Sequence, residues 1–294
     1  MYNNAKITNI VQIYYFCRVK KMTEITQPIA ADLVQFEDFF AEALKAETEP
    51  MGSIMRYVGD TKGKRLRPIL VLLGARLFGM ANEQTFRAAA FVEMIHSATL
   101  IHDDVVDDSD ERRGHASVKS HFGQLSAVLA GDYLLAKAML LLSQPTDSPI
   151  LQEMLRTTTA MSEGELMQNV LGLPYYDSRN SQKRSSPNVT TLQAQYIEII
   201  TRKTALLMCS CCVAGALSVG ATPEQLQRIA DFGINFGILF QLRDDLLDDE
   251  NVEMAQSLLP EYRQKTLQSL DGFHNTEIVE TLRDLTVFCA ERKE

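Results

Sequence analysis

From about residue 29 onward the apolar residues recur every three or four positions, which is the period of an α-helix. This spacing predicts an amphipathic helix through Leu33, Phe36, Phe39, Phe40 and Leu44, and a helix that Pro68 opens and Gly79 closes. Longer apolar stretches predict further helices near residues 82–107, 117–142, 149–171, 191–219 and 223–249, and two shorter helices are predicted near 253–270 and 276–291. No alternating run bounded by turn residues indicates a strand.

Helices that are apolar on several faces must be packed on several sides. The pattern therefore predicts an all-α fold, a single-domain bundle of long helices over residues 22–294. Residues 1–21 precede a second methionine, Met22, and are interpreted as an N-terminal extension. The apolar run at 10–17 is too short to cross a bilayer, so no transmembrane segment is expected. The polar stretch 177–188 is interpreted as a surface loop.

The net charge and the cysteine content limit the expected partners and compartment of the protein. A net charge of −9 without a basic stripe excludes nucleic acid as the expected partner, because phosphate backbones repel an acidic chain. Five cysteines, three of them at positions 209, 211 and 212, are typical of reduced, apolar thiols in a cytoplasmic protein. The chain is therefore expected to be cytoplasmic.

Two aspartate triads with identical spacing carry the candidate chemistry, and each follows an apolar helical stretch. They are Asp103-Asp104-Val105-Val106-Asp107 and Asp244-Asp245-Leu246-Leu247-Asp248. The first and last aspartates of each triad are one helical turn apart, so they share a face. Crowded carboxylates repel one another, and a hard divalent cation relieves that repulsion. The triads therefore predict several Mg²⁺ ions shared with substrate phosphates.

Compact basic groups accompany the triads and could bind a second diphosphate. Lys64 and Arg67 stand three apart at a helix start, where backbone N–H groups also favour anions. Arg112 and Arg113 follow the first triad, while Lys203 lies in another helix.

Ordered motifs between about residues 50 and 249 resemble the trans-polyprenyl diphosphate synthase family, which includes octaprenyl, farnesyl and geranylgeranyl diphosphate synthases. Besides the triads, the matching segments are Gly63-Lys64-Arg65-Leu66-Arg67-Pro68, Glu93-Met94-Ile95-His96, Arg112-Arg113-Gly114, Ala130-Gly131-Asp132-Tyr133, Glu163-Gly164-Glu165, Lys203-Thr204-Ala205 and Phe240-Gln241-Leu242-Arg243. The resemblance implies a dimeric helical bundle with both triads facing a central cavity.

The same resemblance implies a role for each site residue. Binding of Mg²⁺ and the allylic diphosphate falls to Asp103, Asp104, Asp107, Asp244, Asp245 and Asp248, assisted by Arg112, Lys203, Thr204 and Gln241. Binding of isopentenyl diphosphate falls to Lys64, Arg67, His96 and Arg113. The implied reaction ionises the allylic diphosphate and joins the resulting cation to isopentenyl diphosphate by electrostatic stabilisation and positioning.

Product length is implied by Ala98 and Thr99, one turn before the first triad, where short-product relatives tend to carry an aromatic floor. Two small residues favour a medium or long product, unless a neighbouring helix closes the tunnel. Such a product suggests transient contact with a membrane.

The sequence departs from the family pattern after Asp248, where residues 249–253 lead directly into what resembles the family's final helices. A family segment of several dozen residues, with a lysine that contacts the allylic diphosphate, is interpreted as missing. This leaves a catalytically impaired or regulatory subunit as the main alternative to an active enzyme.

Two other classes of helical protein fit the sequence motifs less well. A di-iron bundle needs two Glu-x-x-His motifs, and only Glu93–His96 fits. A terpene cyclase usually carries a different second metal motif and an aromatic cavity, whereas this chain has no tryptophan.

Overall fold

The computed structural model describes residues 20–61, 63–171 and 189–293. Nearly all of the expected N-terminal extension and the whole polar stretch 177–188 lie outside the described residues. The helices are α1 Met22–Ile25, α2 Ala30–Ala43, α3 Glu49–Asp60, α4 Leu66–Phe78, α5 Glu83–Val106, α6 Val118–Phe122, α7 Gln124–Leu141, α8 Ser148–Leu171, α9 Val189–Ile200, α10 Leu206–Ser218, α11 Pro223–Leu247, α12 Val252–Gln268 and α13 Thr276–Glu291. Short 3₁₀ turns at Gln27–Ile29 and Pro145–Asp147 and a π-helical turn at Thr201–Ala205 complete the helical elements.

The fold class predicted from the sequence is confirmed, and most predicted helices begin and end within a few residues of the observed ones. Local capping explains two of the sharpest starts. The Asn82 side chain accepts a hydrogen bond from the backbone N–H of Thr85, and the Thr222 hydroxyl accepts one from that of Gln225. Each cap satisfies a backbone donor that the first helical turn leaves unpaired.

Two predicted helices are interrupted in the structure. The stretch 117–142 forms α6 and α7, because Gly123 adopts φ 89°, a backbone conformation that ends a helix. The stretch 191–219 contains the π-helical turn between α9 and α10. Such a turn inserts one residue into the helix and redirects the side chains around it.

The residues that the structure describes contain one short β-hairpin, whose two strands are two residues long. β1 Glu111–Arg112 pairs antiparallel with β2 His115–Ala116. Arg113 (φ 54°) and Gly114 (φ 75°) form the two-residue turn, and both lie in the left-handed region that such a turn needs. The hairpin holds Arg112 and Arg113 immediately after the first triad.

The centre of the bundle is formed by α4, α5, α10 and α11. Leu70, Val71, Leu72 and Leu73 of α4 are all completely buried. The backbone of α10 lies directly against α4: a Cβ added to Gly215 would stand 1.9 Å from the Val71 carbonyl oxygen. This contact fixes α4, which begins at the Lys64–Arg67 group.

Two helices are long and apolar enough to cross a membrane by length and composition alone. The span Leu192–Ser218 is mostly buried in the bundle, as expected of a core helix. The span Gln124–Leu141 is only 28% buried and carries an exposed apolar stripe. Length and composition do not distinguish such helices from core helices of a soluble protein.

Substitution of Gly215 by alanine tests the close packing of α4 and α10. The new methyl group has no space against the Val71 carbonyl, so we expect a loss of about 3 kcal/mol in the free energy of unfolding, measured by urea denaturation. Gly52→Ala is the matched control in α3, because its Cβ would meet only the far end of the exposed Arg56 side chain, at 3.3 Å. Equal stability of the two variants would contradict this packing.

Candidate active site

A cavity of about 690 Å³ opens between the start of α4, the middle of α5, the β-hairpin, the end of α11 and the end of α13. Its wall combines positive groups from several elements with apolar side chains. The positive and imidazole groups on its wall are Lys64, Arg65, Arg67, His96, Arg112, Arg113 and Arg292. Two carboxylates, Glu93 and Asp244, also line it.

The residues predicted to bind isopentenyl diphosphate all lie on this one wall. The Nε atom of Arg67 is buried and has no hydrogen-bond partner within the described residues. Burial lowers the pKa of His96 well below its usual range, and the charges of Arg67, Arg113 and Arg112 lower it further. His96 is therefore a neutral hydrogen-bonding group at neutral pH, and the arginines supply the positive charge.

Gly63 lies close to the Arg113 guanidinium at this wall. A Cβ at Gly63 would stand 2.4 Å from Nη1 of Arg113. Arg113 also donates to the Thr61 carbonyl at 3.5 Å. The glycine therefore allows the hairpin arginine to lie beside the start of α4.

The first triad ends α5, and its three aspartates differ in burial. Asp104 is 2% exposed and pairs with the guanidinium of Arg112, whose Nε lies 2.9 Å from Oδ1. Asp103 is half-buried, and Asp107 is exposed. Burial raises the pKa of Asp103, with further increases from Glu165 and Asp107, while Lys203 and Arg112 oppose the shift.

The second triad ends α11 with the same order of burial. Asp244 lines the cavity, Asp245 is 4% exposed and Asp248 is exposed. Asp245 accepts hydrogen bonds from the Tyr196 hydroxyl at 2.6 Å and from Gln241 Nε2 at 2.7 Å. Burial nevertheless raises the pKa of Asp245 and of Asp244.

Thr204 and Gln241, predicted as substrate-binding residues, form a hydrogen-bonded chain with Asp245. The Thr204 hydroxyl donates to Gln241 Oε1 at 2.7 Å, which fixes the amide so that its nitrogen faces Asp245. This chain orients the middle carboxylate of the second triad.

Lys203 lies on the π-helical turn and reaches back to α8. Its Nζ atom is 2.9 Å from Glu165 Oε2 and 3.1 Å from Gln168 Oε1. Gly164 permits this approach, since a Cβ there would stand 2.9 Å from the Lys203 backbone nitrogen. Lys203 does not line the cavity, although its charge acts on Asp103.

The structure brings part of the predicted site together. Asp244 lies on the cavity wall with Lys64, Arg67, His96, Arg112 and Arg113. The first triad is connected to that wall through Arg112, which holds Asp104, whereas Asp103 lies outside the cavity lining. Of the six aspartates only Asp244 lines the cavity, so the expectation that both triads face one cavity stays a prediction.

Ala98 and Thr99 are not among the residues that line the cavity. Ala98 is completely buried in the core of the bundle, and the Thr99 hydroxyl donates to the His96 carbonyl at 2.9 Å. Their role in product length stays a prediction.

Arg292 belongs to the cavity but was not predicted as a site residue. It follows the end of α13, its side chain is 9% exposed, and it pairs with Asp244. Its guanidinium lies 4.1 Å from the centre of the Phe240 ring, and its Nε is buried without a hydrogen-bond partner within the described residues. No local motif marks this arginine, because its partner is 48 positions away.

The connection after the second triad is short. α11 ends at Leu247, α12 begins at Val252, and Asn251 adopts φ 45° and donates to Asp245 at 3.3 Å. Residues 249–253 thus lead straight into α12, and the interpretation that a family segment is missing there stays a prediction.

A divalent cation fits the chemistry of these carboxylates. Both triads stand at helix C-termini, where the helix dipole disfavours negative charge and favours a cation. Within the described ranges, no three carboxylate, histidine or cysteine side chains close on one point as a complete metal site. Divalent cations that prefer oxygen ligands can bind protein carboxylates and take their remaining ligands from water or phosphate.

The chain is similar to known proteins of one family. The polyprenyl synthetase family model matches residues 48–255. Octaprenyl diphosphate synthase of Escherichia coli (strain K12) is 32% identical over 232 residues, which are 78% of this chain and 66% of that protein. Heptaprenyl diphosphate synthase component 2 of Geobacillus stearothermophilus is 32% identical over 225 residues, or 76% of this chain and 66% of that protein.

The chain spans just under two thirds of the length of these curated relatives. A crystal structure of polyprenyl synthase from Caulobacter crescentus CB15, complexed with calcium and isoprenyl diphosphate, superimposes with a TM-score of 0.81 at 25% identity. That superposition covers 94% of this chain and 99% of the other. The fold, the ordered motifs and these matches together show that the chain belongs to the polyprenyl synthetase family.

Proposed function

We propose that this protein is a prenyltransferase that condenses isopentenyl diphosphate with an allylic diphosphate to give a medium or long trans-polyprenyl diphosphate. The observation that supports this most directly is the cavity wall where Lys64, Arg67, Arg112 and Arg113 meet the second triad at Asp244. The relatives named octaprenyl diphosphate synthase and heptaprenyl diphosphate synthase component 2 support the same reaction.

The proposed reaction needs charge stabilisation at two diphosphates. The allylic C–O bond breaks, and the electron pair leaves with the diphosphate. The double bond of isopentenyl diphosphate then supplies two electrons to the allylic carbon, and a proton leaves to the released diphosphate. The arginines on the cavity wall bind and orient the anionic groups, so that the reacting carbons lie close together.

The proposed cofactor is Mg²⁺, held by the exposed and half-buried aspartates of each triad. When bound, Mg²⁺ neutralises charge on the departing diphosphate. The buried Asp104 and Asp245 have protein partners, so their part is to fix the ends of α5 and α11 beneath the outer carboxylates. The calcium in the Caulobacter structure supports a divalent cation in this family.

We further propose that the protein is a cytoplasmic homodimer that pairs through α7. Leu125, Val128, Leu129, Met139 and Leu140 form an exposed apolar stripe along that helix. Leu125 is 74% exposed and Leu140 is 71% exposed, which is costly for a helix facing water. The thiols of Cys209, Cys211, Cys212 and Cys289 are free, and the last three of them are buried, which supports a reducing compartment.

The crowding of carboxylates in the first triad predicts that ionised Asp103 destabilises the folded protein when no metal is bound. Because burial raises the pKa of Asp103 above its unfolded value, ionised Asp103 lowers stability at every pH above its folded pKa. Asp103→Asn removes that charge, so we expect the metal-free variant to melt roughly 1–3 °C higher at pH 7.

This difference should disappear near pH 3, where the wild-type carboxyl is protonated in both the folded and the unfolded state. Asp107→Asn is the control. Because the Asp107 side chain is exposed, the melting temperature of this variant should differ little from that of the wild type. A lower melting temperature for Asp103→Asn at pH 7 would mean that Asp103 stabilises the metal-free fold.

Turnover is tested with radiolabelled isopentenyl diphosphate, Mg²⁺ and geranyl or farnesyl diphosphate. We expect elongated products of medium or long chain length on thin-layer plates, and a loss of at least about 10²-fold in kcat/KM for Asp244→Asn. Asp231→Asn, an exposed aspartate on the same helix, should leave the rate unchanged. Absence of product from the folded wild type would favour the regulatory alternative.

Sedimentation velocity tests the dimer. The wild type should sediment at twice the chain mass of 33.0 kDa, and the double variant Leu125→Glu/Leu129→Glu should sediment as a monomer. Val34→Glu, at an apolar residue of α2 that is 64% exposed, is the control and should remain a dimer. Dimers of the Leu125/Leu129 variant would exclude α7 as the interface.

A further inference from the structure

Arg65 stands between the cavity and a second groove on the other side of the α4 start. It is the N-cap of α4 and adopts φ 53° and ψ 27°, the left-handed region that arginine rarely occupies. Its side chain is only 12% exposed and lines both the cavity and the outer groove. Such a strained position persists only where the surrounding contacts stabilise it.

The Arg65 guanidinium binds two carboxylates from different helices. Its Nε atom donates to Glu37 Oε1 of α2 at 2.9 Å, and Nη1 donates to Glu93 Oε1 of α5 at 2.7 Å. The guanidinium also lies 4.9 Å from the centre of the Phe40 ring. One side chain thus connects α2, α4 and α5 at the edge of the cavity.

Glu93 is the unusual partner, because it is a buried carboxylate on the wall of a cavity proposed to bind anions. Its side chain is 5% exposed, and it precedes His96 by about one helical turn on the same wall. Its charge acts on Arg67: burial lowers the pKa of Arg67, and Glu93 opposes that shift. An unpaired carboxylate there would repel a diphosphate and attract Arg67 toward itself.

We propose that Arg65 is a positioning residue of the diphosphate site, which neutralises Glu93 and holds its carboxylate so that Arg67 and Arg113 face the anionic substrate. This inference rests on the proposed function, since it requires the cavity to bind a diphosphate. Arg65 acts through Glu93 and does not itself need to contact the substrate.

The test is binding of isopentenyl diphosphate by isothermal titration calorimetry in EDTA, where the arginines act without metal. We expect Arg65→Gln to weaken binding by at least about tenfold, because Glu93 loses its guanidinium partner on the cavity wall. The double variant Arg65→Gln/Glu93→Gln should recover affinity to within about threefold of the wild type. The deficit of Arg65→Gln should shrink as salt is raised, as expected of an electrostatic effect.

Two controls separate this role from simple bracing of the fold. Glu37→Gln removes the outer partner but leaves the pair with Glu93, so binding should be nearly unchanged. Arg76→Gln breaks another ion pair between α4 and α2, the 3.0 Å contact with Asp32, which lies outside the cavity lining. It should lower the melting temperature without changing the affinity for isopentenyl diphosphate.

The outcomes distinguish the two proposals. A wild type that does not bind isopentenyl diphosphate would overturn the proposed function and this inference with it. A wild type that binds, together with an Arg65→Gln variant of equal affinity, would overturn the inference alone. Weak binding that Glu93→Gln does not restore in the double variant would show that Arg65 only braces the fold.

Discussion

The constraint on which this structure depends is the burial of negative charge at two helix C-termini. Burial raises the pKa of Asp103, Asp244 and Asp245, and neighbouring carboxylates and the helix dipole also oppose their ionisation. Three aspartates of the triads have specific hydrogen-bonding or ion-pair partners. Arg112 pairs with Asp104, Arg292 pairs with Asp244, and a set of neutral donors surrounds Asp245. Only Asp107 and Asp248, the last aspartate of each triad, are exposed, so the protein pairs the buried carboxylates and leaves these two to solvent.

These partners arrive from distant parts of the chain, so the bundle has to hold them rigidly. The close contact of α10 with α4 fixes the helix that starts at the cationic wall. The π-helical turn before α10 places Lys203 against α8, where Gly164 leaves room for it. Glycine therefore serves both purposes at different positions: Gly215 allows the close backbone packing in the core, and Gly164 allows the placement of Lys203.

Sequence periodicity predicted the helices well because each one must bury an apolar face, and that requirement is local. The triads were recognisable for the same reason, since their spacing of one turn is visible in the sequence. Arg292 and the pairing of Arg65 with Glu93 were not predictable, because each contact joins residues tens of positions apart and arginine is common on exposed surfaces. The breaks at Gly123 and at residues 201–205 were missed because apolar periodicity continues through both.

The ionisable groups near the cavity also restrict the chemistry that its protein atoms can perform. Cys289 lines the cavity, but burial raises the pKa of its thiol to about 12, so it is a poor nucleophile at neutral pH. Burial keeps His96 neutral, and no aspartate partner of the kind that activates a histidine base is bonded to it among the described contacts. What the wall does offer is fixed positive charge beside carboxylates. A reaction in which an anionic group departs from carbon and another substrate supplies the electrons needs that arrangement and no protein nucleophile.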